Sequence, residues 1–210
     1  FDHQVTDCSF KGVFTNEYQK NKGVSDENSA ILLDDFRGKV HTIPFTTKKM
    51  MTLDLKKPIA SGAFVSRFDL EQLNQTLVKQ TLTFDSGQAD LRLAFKADVV
   101  NLEMQKPFLI GSVVIQNASG THISSKKKFN NSSVDLSFTS KELKVNQIEL
   151  NTQNSALKMK GQSDNFLNFY YDTPEKIVLN WDIHAEKIDL RDFSFGSGKA
   201  ASIKKSTKIR

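Results

Sequence analysis

Cysteine and long hydrophobic runs are both nearly absent from this chain of 210 residues. Its single cysteine, Cys8, excludes an intramolecular disulfide, a cysteine-based zinc site and a Cys-x-x-Cys redox pair, so we expect it to be a small buried apolar residue. No window approaches the roughly 18 apolar residues that a membrane-spanning helix needs. Because the chain begins with Phe1, we expect a fragment or processed form from which any signal or anchor has been left out.

Catalytic and metal-binding motifs are absent as well. Four isolated histidines have no partner at a metal-ligand spacing: His3, His41, His122 and His184. The ten glycines are scattered singly, which excludes a phosphate-binding loop, a dinucleotide fingerprint and a nucleophile elbow. Two carboxylate pairs, Asp34-Asp35 and Asp189 with Asp192, are better explained as edge charges or turn caps than as an acid and a base. The sequence therefore predicts no enzyme and no cofactor.

The folded body also has no excess of positive charge. The formal charge is +5, from 29 basic and 24 acidic residues. Five basic residues follow Gly196 with no acidic residue among them: Lys199, Lys204, Lys205, Lys208 and Arg210. The rest of the chain is neutral, and we expect residues 196–210 to be a basic flexible tail. The run Lys126-Lys127-Lys128 has no interleaved aromatics, so no nucleic-acid partner is predicted.

What the sequence does contain is apolar alternation with a period of two. Leu91, Leu93 and Phe95 alternate with polar residues, and the pattern recurs as far as residue 185. Every second side chain of such a strand falls on one face, and the short spacing between strands favours antiparallel meanders. The sequence therefore predicts a mainly β fold, either a long curled sheet that forms a groove or a sandwich-like sheet.

One short α-helix interrupts this pattern. Asp69 is a suitable cap, Gln72 stands three residues later as in a capping box, and three leucines share a helical face, which predicts a helix over residues 70–79. The predicted organisation is one β-rich domain at 1–195, with a first sheet segment at 8–66 and a second at 82–185.

Polar clusters are predicted to separate the strands. Turns are expected at residues 85–87, 117–120, 130–133 and 151–155, which are rich in Asp, Asn, Ser and Gly. In the first half of the chain we expect strands at 31–33, 40–43 and 53–55, a bend at 36–38 and a loop at 15–29.

Several stretches resemble the C-terminal region of the AsmA family. They are GSVVIQNASG (111–120), FNNSSVDLSF (129–138) and LKVNQIELNTQNSALKMKG (143–161). Three upstream stretches are similar to Bacteroidota-type versions of the family: DDFRGKVHTIPF (34–45), LKKP (55–58) and SGQADLRLAFKA (86–97). The resemblance covers about residues 10–195, and its motifs consist of turn and strand residues.

This resemblance implies a non-enzymatic periplasmic module of the cell envelope that takes part in outer-membrane biogenesis. The full-length protein would be anchored to the inner membrane by a helix outside this sequence. Its curled sheet would bind or conduct phospholipid or another envelope lipid along an apolar groove, and envelope assembly proteins are possible partners. On this hypothesis the groove is lined by eleven residues: Leu91, Leu93, Phe95, Val134, Leu136, Phe138, Val145, Leu157, Met159, Leu179 and Trp181.

Periodicity alone leaves other functions open. The same apolar side chains would form a dry core if two sheets packed together. A β-sandwich for carbohydrate binding or adhesion would use exposed aromatics, for which Tyr170, Tyr171 and Trp181 are the candidates. A protein-interaction scaffold would use an exposed sheet edge to add a strand from a client.

Overall fold

The computed structural model describes residues 4–76, 81–100, 103–139, 141–164, 166 and 178–193. Ten strands form one antiparallel sheet in which the spatial order follows the chain order. The strands are β1 Val5–Thr15, β2 Ala30–Val40, β3 Ile43–Leu53, β4 Ile59–Asp69, β5 Leu82–Val100, β6 Glu103–His122, β7 Lys127–Phe138, β8 Glu142–Asn151, β9 Ala156–Asp164 and β10 Val178–Lys187. The prediction of a mainly β antiparallel meander is confirmed.

The sheet is open, and its two edges are β1 and β10. The two predicted sheet segments belong to this one sheet, because β4 pairs with β5 along its whole length, from Ile59 opposite Asp98 to Asp69 opposite Gln88. Predicted tail residues 196–210 lie outside the described residues. No helix in the described ranges is long and apolar enough to cross a membrane.

The predicted short helix is confirmed within residues 70–76. A 3₁₀ helix, Leu70–Gln72, continues into α1, Leu73–Thr76. The side chain of Gln72 accepts a hydrogen bond from the backbone nitrogen of Asp69 at 3.1 Å, as the capping box requires. Leu70 is fully buried against Ala89 and Ala118. The helix therefore packs on the sheet, and the last predicted residues, 77–79, lie outside the described residues.

Three of the four predicted turns are wrong, because residues 85–87, 117–120 and 130–133 lie inside β5, β6 and β7. Each is an irregularity in the pairing of a long strand. Asn117 and Asn131 have the left-handed backbone, with φ of 54° and 43°. Asparagine tolerates this conformation in a β-bulge as well as in a turn.

The three irregularities lie side by side and are linked by hydrogen bonds. The hydroxyl of Ser86 donates to the carbonyl of Asn117 at 3.5 Å, and the backbone nitrogen of Asn131 donates to the hydroxyl of Ser119 at 3.2 Å. Bulges bend strands and increase their twist, so this row curves three strands at the same level. The predicted turn at 151–155 does connect two strands, β8 and β9.

Boundaries in the first half also differ from the prediction. β2 continues through the predicted bend at 36–38, and the irregular residue is Asp35, with φ of 50°. Residues 41–42 and 54–58 connect strands, so the strands predicted at 40–43 and 53–55 are wrong. The loop is confirmed at 16–29. Cys8 is exposed rather than buried, because it lies on the edge strand β1.

The sheet has two chemically different faces, since paired residues of antiparallel strands point to the same side. The apolar face carries, from β1 to β10, Phe10, Phe36, Phe45, Phe64, Leu93, Val113, Leu136, Val145, Met159 and Trp181. The polar face carries, from β2 to β10, Arg37, Thr46, Arg67, Arg92, Ser112, Asp135, Lys144, Lys160 and Asp182.

Burial shows that the apolar face is not a dry core. Among the described residues only eight hydrophobic ones are buried, and five of them are alanines. Leu70 is the single large side chain among them with under 2% of its surface exposed. The described part of the chain supplies one sheet layer and short helical segments, so the sandwich-like alternative does not describe this fold.

Candidate functional site: the apolar face

All eleven predicted groove residues lie on the apolar face. The strand register aligns nine of them in three rows that cross β5 to β10, with Phe95 beside Leu93 and Leu157 beside Met159 just outside these rows. The central row contains, in strand order, Leu91, Val113, Leu136, Val145, Gly161 and Trp181. The neighbouring row on one side contains Leu93, Gly111, Phe138, Leu143, Ser163 and Leu179. The neighbouring row on the other side contains Ala89, Ile115, Val134, Ile148, Met159 and Ile183.

Most of these side chains are partly accessible to solvent. Among the eleven, only Val145 and Leu157 are buried, with 4% and 5% of their surface exposed, whereas Trp181 is 42% exposed. The other eight are half-buried. Half-burial of neighbouring large apolar side chains is what a sheet with one uncovered face produces, and contiguous apolar surface of this kind marks binding sites.

The apolar face extends further than the prediction, into β1 to β4. Phe36 packs edge-to-face on both Phe10 and Phe45, with ring centroids 5.4 and 5.1 Å apart. A period-two signal was present here in Phe64-x-Ser66-x-Phe68. It is hidden in β2, because the bulge at Asp35 spaces apolar residues by three instead of two.

A cavity of about 310 Å³ lies on the apolar face at one end of the sheet. Its wall is formed by β5 to β8 and includes Phe84, Ile115, Phe129, Val134 and Ile148. The rings of Phe84 and Phe129 meet edge-to-face with centroids 6.1 Å apart. This volume falls at the lower limit of small-molecule pockets, and its largely apolar wall suits a hydrocarbon chain.

A second 3₁₀ helix, Leu190–Phe193, closes one side of this cavity. The carboxylate of Asp192 accepts hydrogen bonds from the hydroxyls of Thr152 at 2.6 Å and Ser155 at 2.9 Å. The hydroxyl of Ser155 in turn accepts one from the backbone nitrogen of Asp189 at 2.8 Å. The Thr152 hydroxyl is the main reason that the pKa of Asp192 lies below its ordinary value. Residues 189–192 are thus fixed to the turn between β8 and β9.

The polar face carries charges paired across strands. Asp90 accepts from the guanidinium of Arg67 at 2.7 Å and from that of Arg92 at 3.1 Å, in a polar cleft of about 650 Å³. The hydrogen bond from Arg92 is the main cause that lowers the pKa of Asp90, with a further contribution from Arg67. These are partly exposed structural ion pairs.

The two carboxylate pairs of the sequence analysis have different surroundings. Asp34 and Asp35 are exposed at the bulge in β2. Asp189 is bound by the guanidinium of Arg191 at 2.7 Å, and this hydrogen bond is the main cause that lowers the pKa of Asp189 to about 2. A carboxyl with so low a pKa is a poor general acid or base near neutral pH. In the described ranges no three His, Cys, Asp or Glu side chains could hold a metal ion.

The candidate aromatic platform for sugars is represented by Trp181 alone, since Tyr170 and Tyr171 lie outside the described residues. Trp181 stands opposite Gly161 in the central apolar row.

Comparisons with protein families, with curated proteins and with solved structures give no match to this chain. The resemblance to the AsmA family stays a hypothesis, and the chemistry of the apolar face is the basis for any functional inference.

Proposed function

We propose that this chain is a non-enzymatic module of the periplasm that binds phospholipid acyl chains along its apolar face. The observation that carries the proposal is the set of three adjoining apolar rows across β5 to β10, in which most of the large side chains stay half-buried, although Leu70 covers Ala89 and the ring of Phe166 packs on Phe138. The resemblance to the AsmA family supports the same function, with a role in outer-membrane biogenesis and an inner-membrane anchor in the full-length protein.

Hydrophobic transfer is sufficient for such binding. Each CH₂ group removed from water contributes about 0.8 kcal/mol, so a dozen groups on the apolar face contribute about 10 kcal/mol before the cost of ordering the chain. No specific polar contact is needed for the hydrocarbon part. Because the apolar rows contain few polar side chains, an acyl chain meets similar surroundings at successive strands, which would also allow it to slide.

The proposal is tested by two substitutions at adjacent positions on opposite faces. Leu136 points to the apolar face and Ser137 to the polar face. We expect Leu136→Asp to reduce co-purifying phospholipid at least tenfold, because a charge cannot be buried under an acyl chain without a partner. Ser137→Asp, which adds the same charge, should retain it. Native mass spectrometry and lipid extraction measure both, and Leu93→Asp is the second apolar variant.

Circular dichroism and thermal unfolding separate loss of binding from loss of fold. Leu136 is half-buried, so the folded sheet should survive its replacement. A wild-type protein that carries no lipid after purification from bacterial membranes, and takes up none from vesicles, would contradict the proposal. Lipid that is retained equally by the Leu136, Leu93 and Ser137 variants would contradict it as well.

A protein-interaction scaffold is the second candidate, favoured by the chemistry of edge strand β1. Phe10, Val13 and Phe14 are 54%, 56% and 63% exposed there. Edge strands with apolar side chains can add a strand from another protein. Capture of outer-membrane proteins by lipid-free chain, abolished by Val13→Pro on this edge, would favour the scaffold over the lipid module.

A further inference from the structure

One end of the sheet combines exposed apolar side chains with basic ones. We call this region, residues 123–128 and 187–192, the basic tip. Ile123, Ile188 and Leu190 are 43%, 49% and 75% exposed in it. Exposed apolar side chains that are grouped, in contrast to single scattered ones, are typical of contact sites.

The charge of the basic tip is positive. It contains five basic residues, Lys126, Lys127, Lys128, Lys187 and Arg191, against two acidic ones, Asp189 and Asp192. Both acidic side chains are already bound within the tip or to the neighbouring turn, by Arg191 and by Thr152 with Ser155. Lys126, Lys128 and Lys187 are exposed. The tip therefore presents a net positive surface around its apolar side chains.

The opposite end of the sheet provides a contrast. The loop 16–29 and the connection 54–58 contain equal numbers of basic and acidic residues: Lys20, Lys22, Lys56 and Lys57 against Glu17, Asp26, Glu27 and Asp54. The ammonium of Lys56 lies 2.6 Å from the carboxylate of Glu27. These two segments therefore have no net formal charge, in contrast to the basic tip.

The basic tip also borders the apolar cavity. Ser125, Lys127 and Lys128 line the cavity on one side and Asp192 on another. The turn at 123–126 is held by His122, whose Nδ1 lies 2.8 Å from the hydroxyl of Ser125, and by the backbone of Ile123, which donates to Thr81 at 2.9 Å. Fixed turns thus place both segments of the basic tip at the edge of the same cavity.

We infer that the basic tip docks on the surface of a bilayer that contains anionic phospholipid. Ile123, Ile188 and Leu190 enter the interface, and the lysines contact the phosphate groups. Each basic side chain near such a surface strengthens binding about fivefold, and an inserted apolar side chain adds to it. The inference deepens the proposed function, on which it rests, because docking would bring the apolar cavity to the source of acyl chains.

The test is cosedimentation of the full chain with vesicles of phosphatidylcholine and with vesicles that also contain phosphatidylglycerol. We expect binding to the anionic vesicles and at least tenfold weaker binding for Lys126→Glu combined with Lys187→Glu, because both lysines are exposed and neither lines the cavity. Leu190→Asp should weaken binding severalfold without changing a basic residue. Added salt should weaken the wild type more than the double variant, since salt screens the exposed charges.

Two matched controls locate the effect. Lys20→Glu with Lys57→Glu makes the same charge change at the opposite end of the sheet, and Lys204→Glu with Lys205→Glu makes it near the C-terminus. The inference is supported if the tip variant loses more binding than either control. It is overturned if neutral and anionic vesicles bind alike, if either control accounts for the whole loss, or if duplex DNA competes as well as the anionic vesicles do.

A separate measurement distinguishes failure of docking from failure of the proposed function. Uptake of a monomeric fluorescent fatty acid, without vesicles, reports on the apolar face alone. The tip variants should take up this probe like the wild type while losing vesicle binding. Loss of uptake in the tip variants, with thermal unfolding unchanged, would show that these residues act in the acyl site itself and would overturn docking as their role.

Discussion

The two faces of the sheet are made by the same ten strands but carry opposite chemistry. Along β7 and β8, Leu136 and Val145 face one side, and their neighbours Ser137 and Lys144 face the other. On the polar face the charges are paired across strands, as between Glu149 and Lys158. On the apolar face Leu70 covers Ala89 and Phe166 packs on Phe138, and most of the other large side chains of the rows stay half-buried. The difference shows that alternation in this chain places large apolar side chains on one face of a single sheet, where most of them stay half-buried.

Burial on the apolar face follows the size of the side chain. The buried residues of the central strands include the alanines Ala60, Ala89, Ala97 and Ala118. Ala89 and Ala118 are covered by Leu70 of the short helix, whereas most of the large side chains stay half-buried. Cross-strand pairs of aromatic and aliphatic side chains therefore supply much of the stabilisation that a second layer would provide in a sandwich. The same pairs form the surface that we propose binds lipid.

The largest loss of stability is expected from a substitution at Gly111, on the apolar face. This glycine lies between Leu93 and Phe138 in a row, with φ of 142°, and an added Cβ would overlap the carbonyl oxygen of Arg92. We expect Gly111→Ala to lower the free energy of unfolding by about 3 kcal/mol or more, because both strain and overlap contribute. Urea denaturation followed by circular dichroism measures the change.

Gly23 is the matched control for this substitution. It also has a positive φ, 78°, but a Cβ there meets nothing within 4 Å. Gly23→Ala should cost only the backbone strain, about 1 kcal/mol. Equal losses at the two glycines would mean that the close approach of β5 and β6 at Gly111 is not important for stability.

A smaller effect is expected at Phe129, on the wall of the cavity. Its ring packs on Phe84 and on the buried cluster around Leu70. Phe129→Ala should cost about 2 kcal/mol, less than for a fully buried ring because one side is open. Its neighbour Lys128 is exposed, so Lys128→Ala should change stability by less than about 0.5 kcal/mol. Thermal unfolding of both variants gives the comparison, and similar losses would contradict the division into two faces.

Strand content and the composition of the apolar face could be predicted from the sequence. Alternation such as Leu91-x-Leu93-x-Phe95 depends only on the period of a strand, and this period places each candidate on one side of the sheet. The capping pair Asp69 and Gln72 likewise located the short helix through a local hydrogen bond. Local rules were sufficient for these features because no distant contact competes with them.

Bulges and layer number could not be predicted in the same way. Asn117 and Asn131 adopt the same left-handed backbone that a turn would require, and only their pairing with neighbouring strands makes them parts of longer strands. Whether a second layer covers Leu136 depends on the whole chain, because a half-buried and a buried leucine have the same sequence pattern. The structure was needed to choose between groove and sandwich.

The smallest effect is expected on the polar face, at Asp90. Arg92, and then Arg67, lower the pKa of its carboxyl below the ordinary 3.8, so the charged form is favoured in the folded state. The resulting stabilisation is present above that ordinary value and is lost as the pH falls through the lowered pKa. Asp90→Asn should therefore cost about 0.5 kcal/mol at neutral pH, less at high salt.

The pH dependence of the free energy of unfolding shows whether the cost of Asp90→Asn comes from the charge of the carboxyl. The difference between Asp90→Asn and the wild type should shrink as the pH is lowered below 3.8, because the wild-type carboxyl then also becomes neutral. Urea denaturation over this pH range measures the difference, with fatty-acid uptake as the second readout. Uptake should stay at the wild-type level, because Asp90 points away from the apolar rows. Reduced uptake would mean that the two faces are coupled through the strands, and then the groove could not be treated as a surface independent of its polar side.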